Sequence, residues 1–243
     1  MFPLRDTIPS SRRPVVTYVL IALNVAIFLY ELSLGPRLES FILEWGLVPA
    51  RLSLSDPASF LTILTSMFLH SGWAHVGGNL LYLWIFGDNV EDRLGHAKFA
   101  FFYLATGFCA AMAQVLSGPG SHVPMIGASG AIAGVLGCYL LYFHHARVVT
   151  LVPIVFFLQL VEIPAIVFLG LWFLMQLFQG VASLHGAGEV TGGVAWWAHA
   201  GGFASGLLLG FVLGRRAAPP ARMPSRRVPA WPRQEGGTPW ARD

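Results

Sequence analysis

Charge is the scarcest property of this sequence. Asp, Glu, Lys and Arg make up only 11% of its 243 residues, against about a quarter in a soluble domain. Hydrophobic residues make up 55%, and the mean hydropathy is +0.64. The deficit runs along most of the chain, which excludes an ordinary water-soluble domain and predicts a multi-pass membrane protein. The apolar runs are long and lack the short alternation of a membrane barrel, so the spans are expected to be helices. Cysteine is nearly absent as well. Cys109 and Cys138 both fall inside apolar runs, where a thiol reads as a small hydrophobe rather than half of a disulfide or a metal ligand. No cleavable signal is evident: residues 1–11 are polar, Arg12 and Arg13 precede the first apolar run, and no small-residue cleavage site follows it. With no organelle transit peptide either, the expected location is the cell (inner) membrane.

What is present is a series of apolar runs. Six spans are expected, over residues 15–34, 73–87, 99–116, 129–143, 163–181 and 194–213. Residues 1–14 read as a short polar arm. Residues 35–72 form a long loop in which Phe41, Leu43, Trp45, Leu47, Phe60, Leu61 and Leu64 recur among charges, the pattern of short amphipathic helices at the membrane interface. The run Asp88-Asn89-Val90-Glu91-Asp92-Arg93 is expected to end span two. Residues 148–162 are apolar, contain Pro153 and are β-branched early, which reads as an interfacial or extended segment. Pro164 then reads as a first-turn proline of span five, with Glu162 as a charge at that helix's N-terminus. Residues 182–193 are a glycine-rich loop, and residues 215–243 an Arg-, Pro- and Gly-rich tail expected to be disordered.

Positive charge sets the expected orientation. Arg5, Arg12 and Arg13 precede span one; Arg93 and Lys98 lie between spans two and three; Arg147 follows span four and Arg215 follows span six. The opposite loops hold only Arg37 and Arg51. Both termini are therefore expected to be cytoplasmic. Seven of the fifteen Lys and Arg residues lie from Arg215 onward. That tail reads as a topology signal with some attraction to anionic lipid, and without a folded nucleic-acid module beside it no nucleic acid is expected as a partner. Nothing in the sequence sets an oligomeric state.

Polar groups inside spans are costly and usually functional. His75 and Asn79 are four apart and share one face of span two. Ser129 opens span four and His199 lies early in span six. The even-numbered spans run in the same direction, so depth is counted back from their inner ends. Ser129 precedes His144 by fifteen residues, about 22 Å of helix. His199 precedes Arg215 by sixteen, about 24 Å. His75 precedes Asp88 by thirteen, about 20 Å. In a hydrocarbon core about 30 Å thick, all three sit at similar depth, several Å below the outer surface. Span four is too short to cross alone, and its outer end is completed by irregular chain over residues 118–128. Such backbone must be buried in protein or line a water-filled cavity, and the free N–H groups of the helix start would point into it.

Carboxylates are missing where a triad would need one. Between Asp92 and the tail the only acids are Glu162 and Glu189, and neither is expected in the outer half of a span. Any serine chemistry here is therefore a Ser-His dyad, with Ser129 as nucleophile, His199 as general base and then acid, and His75, Asn79 and the Ser129 N–H as oxyanion donors. Taken singly, Gly130-x3-Gly134 and Gly202-x3-Gly206-x3-Gly210 are helix-packing faces, and a lone serine at a helix start is a cap. Two histidines are too few for a zinc or haem site without a nearby thiolate or carboxylate, and the HExxH pattern is absent.

At these residues the chain resembles the rhomboid family of intramembrane serine proteases. Three motifs carry the resemblance, in order: His70-x4-His75-x3-Asn79 at span two, Gly127-Ala128-Ser129-Gly130-x3-Gly134 opening span four, and Ala198-His199-Ala200-Gly201-Gly202-x3-Gly206 in span six. It covers roughly residues 15–214 and implies an all-α, six-transmembrane-helix bundle. It implies Ser129 as nucleophile, His199 as base, and His75 and Asn79 as oxyanion residues, with Gly127 beside them. It also implies cleavage of peptide bonds in or near the transmembrane segments of single-span membrane proteins, without a cofactor. A catalytically silent scaffold or chaperone that binds transmembrane helices is the alternative on the same fold; the intact serine and histidine argue against it. Two positions depart from a common family pattern. A Trp-Arg pair of the first loop is replaced by Phe60-Leu61-Thr62, and the aromatic one turn after the serine is Ala133. The orientation of His199 is then expected to rest on Trp196, Trp197 or Tyr82.

Overall fold

The computed structural model describes residues 2–154, 157–184 and 195–214. The protein is mostly helical. Strand β1 (Phe2–Asp6) is followed by α1 (Val15–Ser33), then by the short helices α2 (Leu38–Trp45) and α3 (Leu61–Thr65) with 3-10 turns around them. Then come α4 (Trp73–Leu94), α5 (His96–Ser117), α6 (Ser129–Phe143), strands β2 (Arg147–Ile154) and β3 (Phe157–Pro164), α7 (Ala165–Leu184) and α8 (Trp196–Leu213). Among the described residues, four helices are long and apolar enough to cross a membrane: α1, α5, α7 and α8. Helix α6 is apolar but has only 15 residues, about 22 Å at ~1.5 Å per residue. Helix α4 is long enough but carries four charged residues in its last two turns.

Helix α6 is the centre of the molecule. Every residue from Gly130 to Tyr139 is buried, and α4, α5, α7 and α8 all pack on it. A helix surrounded on all sides must be apolar all round, and α6 is. Its small residues set how near the neighbours come. Gly134 faces Thr106 of α5, and a Cβ at Gly134 would overlap that side chain.

Helix α4 does not stop at Gly87. It continues to Leu94 and ends at Gly95, whose φ of 80° is left-handed. The expected stop at Asp88–Arg93 fails because its polar groups are used inside the fold. Glu91 is fully buried and caps α1 from outside that helix: one carboxylate oxygen accepts the Val16 N–H at 2.8 Å, and the other accepts the Thr17 N–H at 2.8 Å and the Thr17 hydroxyl at 2.7 Å. His96 bonds the same carboxylate. Helix starts leave N–H groups without intrahelical partners, and α1 has no side-chain cap of its own, so Glu91 supplies it.

The all-α expectation is corrected by a three-stranded antiparallel sheet in the order β1-β2-β3. Residues 2–6, expected in a polar arm, pair with β2 from Phe2↔Leu151 to Asp6↔Val148, with an irregularity between Pro3 and Arg5. Strands β2 and β3 form a hairpin from Arg147↔Pro164 to Ile154↔Phe157. Glu162 is therefore a strand residue opposite Val149, not a helix N-terminal charge, and Pro164 ends β3 rather than opening α7. The β-branched run through Val148, Val149 and Thr150 favours a pleated backbone. Val148 and Thr150 are fully buried. Residues 185–193 of the glycine-rich loop and the tail from residue 215 lie outside the described residues.

Candidate active site

Helices α6 and α8 touch backbone to backbone. A Cβ at Gly202 would collide with the carbonyl of Gly130, and one at Gly206 with the carbonyl of Gly134. From the other side, Gly137 lies against the carbonyl of Phe203, and Cys138 Sγ would be 2.8 Å from a Cβ at Gly210. Small residues at this spacing let two helices approach without side chains between them. Ala133 belongs to the same seam: its Cβ lies 3.2 Å from where a Gly202 Cβ would be.

The close approach brings the first residue of α6 to the first turn of α8. Ser129 Oγ lies 2.7 Å from His199 Nε2. The other ring nitrogen, Nδ1, lies 2.8 Å from Oε1 of Gln176 on α7. The indole of Trp172, one turn before Gln176, packs on the imidazole at 5.9 Å between ring centres, and Trp196 meets its edge at 6.3 Å. Tyr82 packs on Phe86 and Trp197 on Gly180, so of the three expected supports only Trp196 contacts His199. The start of α8 is itself held by α5, where Gln114 Oε1 accepts the Ala198 N–H at 3.2 Å.

The segment before Ser129 is irregular and tightly fastened. Leu47 and Met125 exchange both backbone hydrogen bonds, at 3.1 and 2.8 Å, and the Gly127 N–H donates to the Ser66 carbonyl at 2.8 Å. The long first loop thus supplies the partners that this non-helical, part-buried backbone requires. Gly127 has φ 122°, a conformation that favours glycine. A Cβ there would lie 2.6 Å from His75 Nε2 and 3.7 Å from Asn79 Nδ2. The two side chains of α4 therefore converge on the backbone two residues before the serine. His75 Nδ1 faces the Ser71 hydroxyl at 3.1 Å, and Asn79 Nδ2 lies 3.0 Å from His70 Nε2. His70 is fully buried; its Nδ1 bonds the Phe68 carbonyl at 3.2 Å, and its backbone N–H donates to Glu31 of α1.

All five residues singled out in the sequence, Ser129, His199, His75, Asn79 and Gly127, lie in this one region. Sequence reasoning misses Gln176 and Trp172. The signal available is an amide in a largely apolar helix, but Gln179 offers the same signal three residues on, and only the packing of α7 on α8 chooses between them. The bond of His70 to Asn79 is missed as well, because its nine-residue separation spans a loop and a helix start.

The fold and this pairing define a helical membrane-embedded protein with a serine hydroxyl hydrogen-bonded to a histidine ring at the start of its buried central helix. The family model described as Rhomboid domain matches residues 57–216, about two thirds of the chain, and the chain belongs to that family. Similar curated proteins include the mitochondrial Rhomboid protein 1 of Saccharomyces cerevisiae, 29% identical over 207 residues, covering 82% of this chain and 54% of the relative. The rhomboid protease GluP of Bacillus subtilis is 36% identical over 129 residues, covering 53% of this chain and 24% of the relative. An inactive rhomboid protein 1 of Drosophila melanogaster is 26% identical over 106 residues, covering 44% of this chain and 7% of the relative. The chain thus spans about half or less of the length of these relatives.

Proposed function

We propose that this protein is an intramembrane serine endopeptidase that uses Ser129 and His199 as a dyad. The observation that carries the reading is the 2.7 Å contact between Ser129 Oγ and His199 Nε2, a base within reach of the proton it must take. His199 Nε2 takes the hydroxyl proton as Oγ attacks the scissile carbonyl carbon. The oxyanion receives hydrogen bonds from the Ser129 N–H, His75 Nε2 and Asn79 Nδ2. Collapse breaks the C–N bond, and the proton on Nε2 passes to the leaving amine. Water, deprotonated by the same nitrogen, then hydrolyses the acyl ester on Ser129. Helix α6 has no side-chain N-cap, which leaves its first N–H groups and dipole for the oxyanion.

The wider reading rests on this mechanism and on the charge pattern. Residues 15–214 form the membrane domain, with α1, α4, α5, α6, α7 and α8 as six spans. Both termini and the basic tail from residue 215 are cytoplasmic, in the cell membrane. The substrates are single-span membrane proteins, cut in or near their transmembrane segments. The half-buried position of Ser129 and the apolar exterior of α7 support a substrate that arrives through the bilayer.

The test is labelling of the detergent-solubilised protein with a fluorophosphonate probe, together with cleavage of a single-span reporter in vesicles. The parent is expected to label and cleave; Ser129→Ala and His199→Ala should lose about a thousandfold or more in rate. A folded parent that neither labels nor cleaves would favour the silent scaffold, and labelling that survives Ser129→Ala would place the nucleophile elsewhere.

A further inference from the structure

Helix α7 is apolar and mostly faces outward: Leu171, Leu174, Met175 and Phe178 are all more than half exposed. One polar side chain on it points the other way. Gln176 is 4% exposed, and burying an amide among apolar helices is unfavourable unless both of its ends find partners. Both do. The amide nitrogen donates back to the Trp172 carbonyl at 3.4 Å, and the oxygen meets His199 Nδ1 at 2.8 Å.

The order of these partners has a chemical consequence. With its nitrogen committed to a carbonyl acceptor, the Gln176 amide presents only oxygen to the imidazole. An oxygen can only accept, so Nδ1 must carry the ring proton, and in the neutral ring Nε2 is then a bare lone pair. Nε2 is the atom that faces Ser129 Oγ. The reverse amide orientation would donate to Nδ1 and put the proton on Nε2, where the ring could not accept from serine. We propose that Gln176 is a positioning residue that fixes His199 in the base-competent tautomer, the task a carboxylate performs in a Ser-His-Asp triad. This rests on the dyad reading above.

An amide fixes the tautomer without a charge. Among the described residues no carboxylate hydrogen-bonds His199; Ser129, Gln176, Trp172 and Trp196 surround the ring, and the His75 ring of α4 acts on it electrostatically. The imidazolium formed during turnover is therefore stabilised by a dipole, not by an ion pair. Replacing the amide by a carboxylate of the same shape keeps the acceptor and adds the missing charge, so the two roles can be separated.

The experiment compares the full-length parent with Gln176→Leu and Gln176→Glu, reading the second-order rate of fluorophosphonate labelling against pH. Gln176→Leu should label about a hundredfold slower or worse at neutral pH, as expected when a base rests in the wrong tautomer. Gln176→Glu should recover most of that rate, and the acid limb of its profile should move to higher pH relative to the parent, because a neighbouring negative charge favours the protonated ring. A purely structural Gln176 would lower the melting temperature of Gln176→Leu and leave the labelling rate of the folded fraction and the acid limb where they were, which would overturn the proposal. A folded Gln176→Glu protein as slow as Gln176→Leu would overturn it as well. If Gln176→Leu does not fold, the acid limb of Gln176→Glu decides alone. Failure of the parent to label, or labelling of Ser129→Ala, would instead sink the dyad; a labelling parent matched by a folded Gln176→Leu would sink only this assignment.

Discussion

The two ends of the helix bundle are fastened by different chemistry. At the Ser129 end the side chains that hydrogen-bond the site are amides, an imidazole and a hydroxyl: Gln114 holds the start of α8, Gln176 holds His199, His70 meets Asn79 and Ser71 meets His75, while the indoles of Trp172 and Trp196 pack on His199. Among the described residues the nearby carboxylate is Glu31, which receives the His70 backbone N–H from one step further out. At the opposite end carboxylates do the fastening. Glu91 caps α1, Asp92 accepts the Ser11 N–H and hydroxyl at 2.9 and 2.7 Å with Arg12 at 3.8 Å, and Asp6 accepts Tyr139 and Asn89. The difference follows from where a charge can be kept. In the topology proposed above, the far end lies among the flanking basic residues, whereas the site lies beneath the membrane surface, where an ion without a partner is expensive. A neutral amide can fix a histidine there without bringing an unpaired charge.

The site depends first on the helices that bring it together. A Cβ at Gly202 falls on the Gly130 carbonyl, backbone that has no rotamer to escape into. Gly202→Ala should therefore push α8 from α6 and break the contact of Ser129 with His199. The expected loss is the largest of the series, a thousandfold or more in fluorophosphonate labelling (about 4 kcal/mol), along with reduced thermal stability. Parent-like labelling by Gly202→Ala would mean that the dyad is set by the hydrogen-bonded neighbours rather than by the seam.

That seam is legible in the sequence, and it explains how much of the site can be read there. Gly130-x3-Gly134 and Gly202-x3-Gly206 are local patterns on apolar runs, and counting residues from the charged ends sets Ser129 and His199 level on their helices, as their contact requires. For His75 the count starts from Asp88, which lies inside α4 rather than at its end, so its place beside Gly127 is fixed by packing and not by the count. What the sequence hides depends on distant partners. Strand β1 exists because Phe2–Asp6 meets β2 far along the chain, with Phe2 opposite Leu151, and a short mixed segment carries no such signal by itself. The end of α4 is misleading for a related reason: Glu91 and Asp92 look like a solvated stop until α1 and Ser11 are known to bind them. Gln176 is intermediate, since its polarity is visible but its direction depends on helix packing.

At the carboxylate end the larger effect is expected at Glu91. Its two oxygens satisfy two N–H groups and a hydroxyl of α1 in a fully buried position. Glu91→Ala leaves those donors unpaired and should cost about 3 kcal/mol of stability. The change is remote from the dyad, so the folded fraction should label at close to the parental rate. Denaturation in detergent and labelling of the same sample separate the two readouts. A large fall in labelling with unchanged stability would show that the two ends are coupled, against the division drawn here.

The smallest effect is expected at Asp6, and its sign is specific. Burial pushes the Asp6 carboxyl up to about 6, against the opposing hydrogen bond from the Tyr139 hydroxyl and with the added repulsion of Asp88. An unfolded Asp releases its proton near 3.8, so between about pH 4 and pH 6 the folded protein binds more protons than the unfolded chain. Stability must then fall as pH rises through that window and level off above it. Asp6→Asn removes the titration. The Asn side-chain oxygen can still accept from Tyr139 and Asn89, the donors that Asp6 Oδ2 now receives at 2.6 and 3.0 Å. Other carboxylates add their own drift, so the informative quantity is the difference in melting temperature between the two proteins. It should grow in favour of Asp6→Asn by about 4–8 °C from pH 4 to pH 6.5, that is about 2 kcal/mol at ~2–4 °C per kcal/mol, while the labelling rate stays parental. A difference that does not change with pH would mean that Asp6 is charged in the folded protein throughout this range, and that the sheet is held to α4 and α6 by an ion rather than by a shared proton.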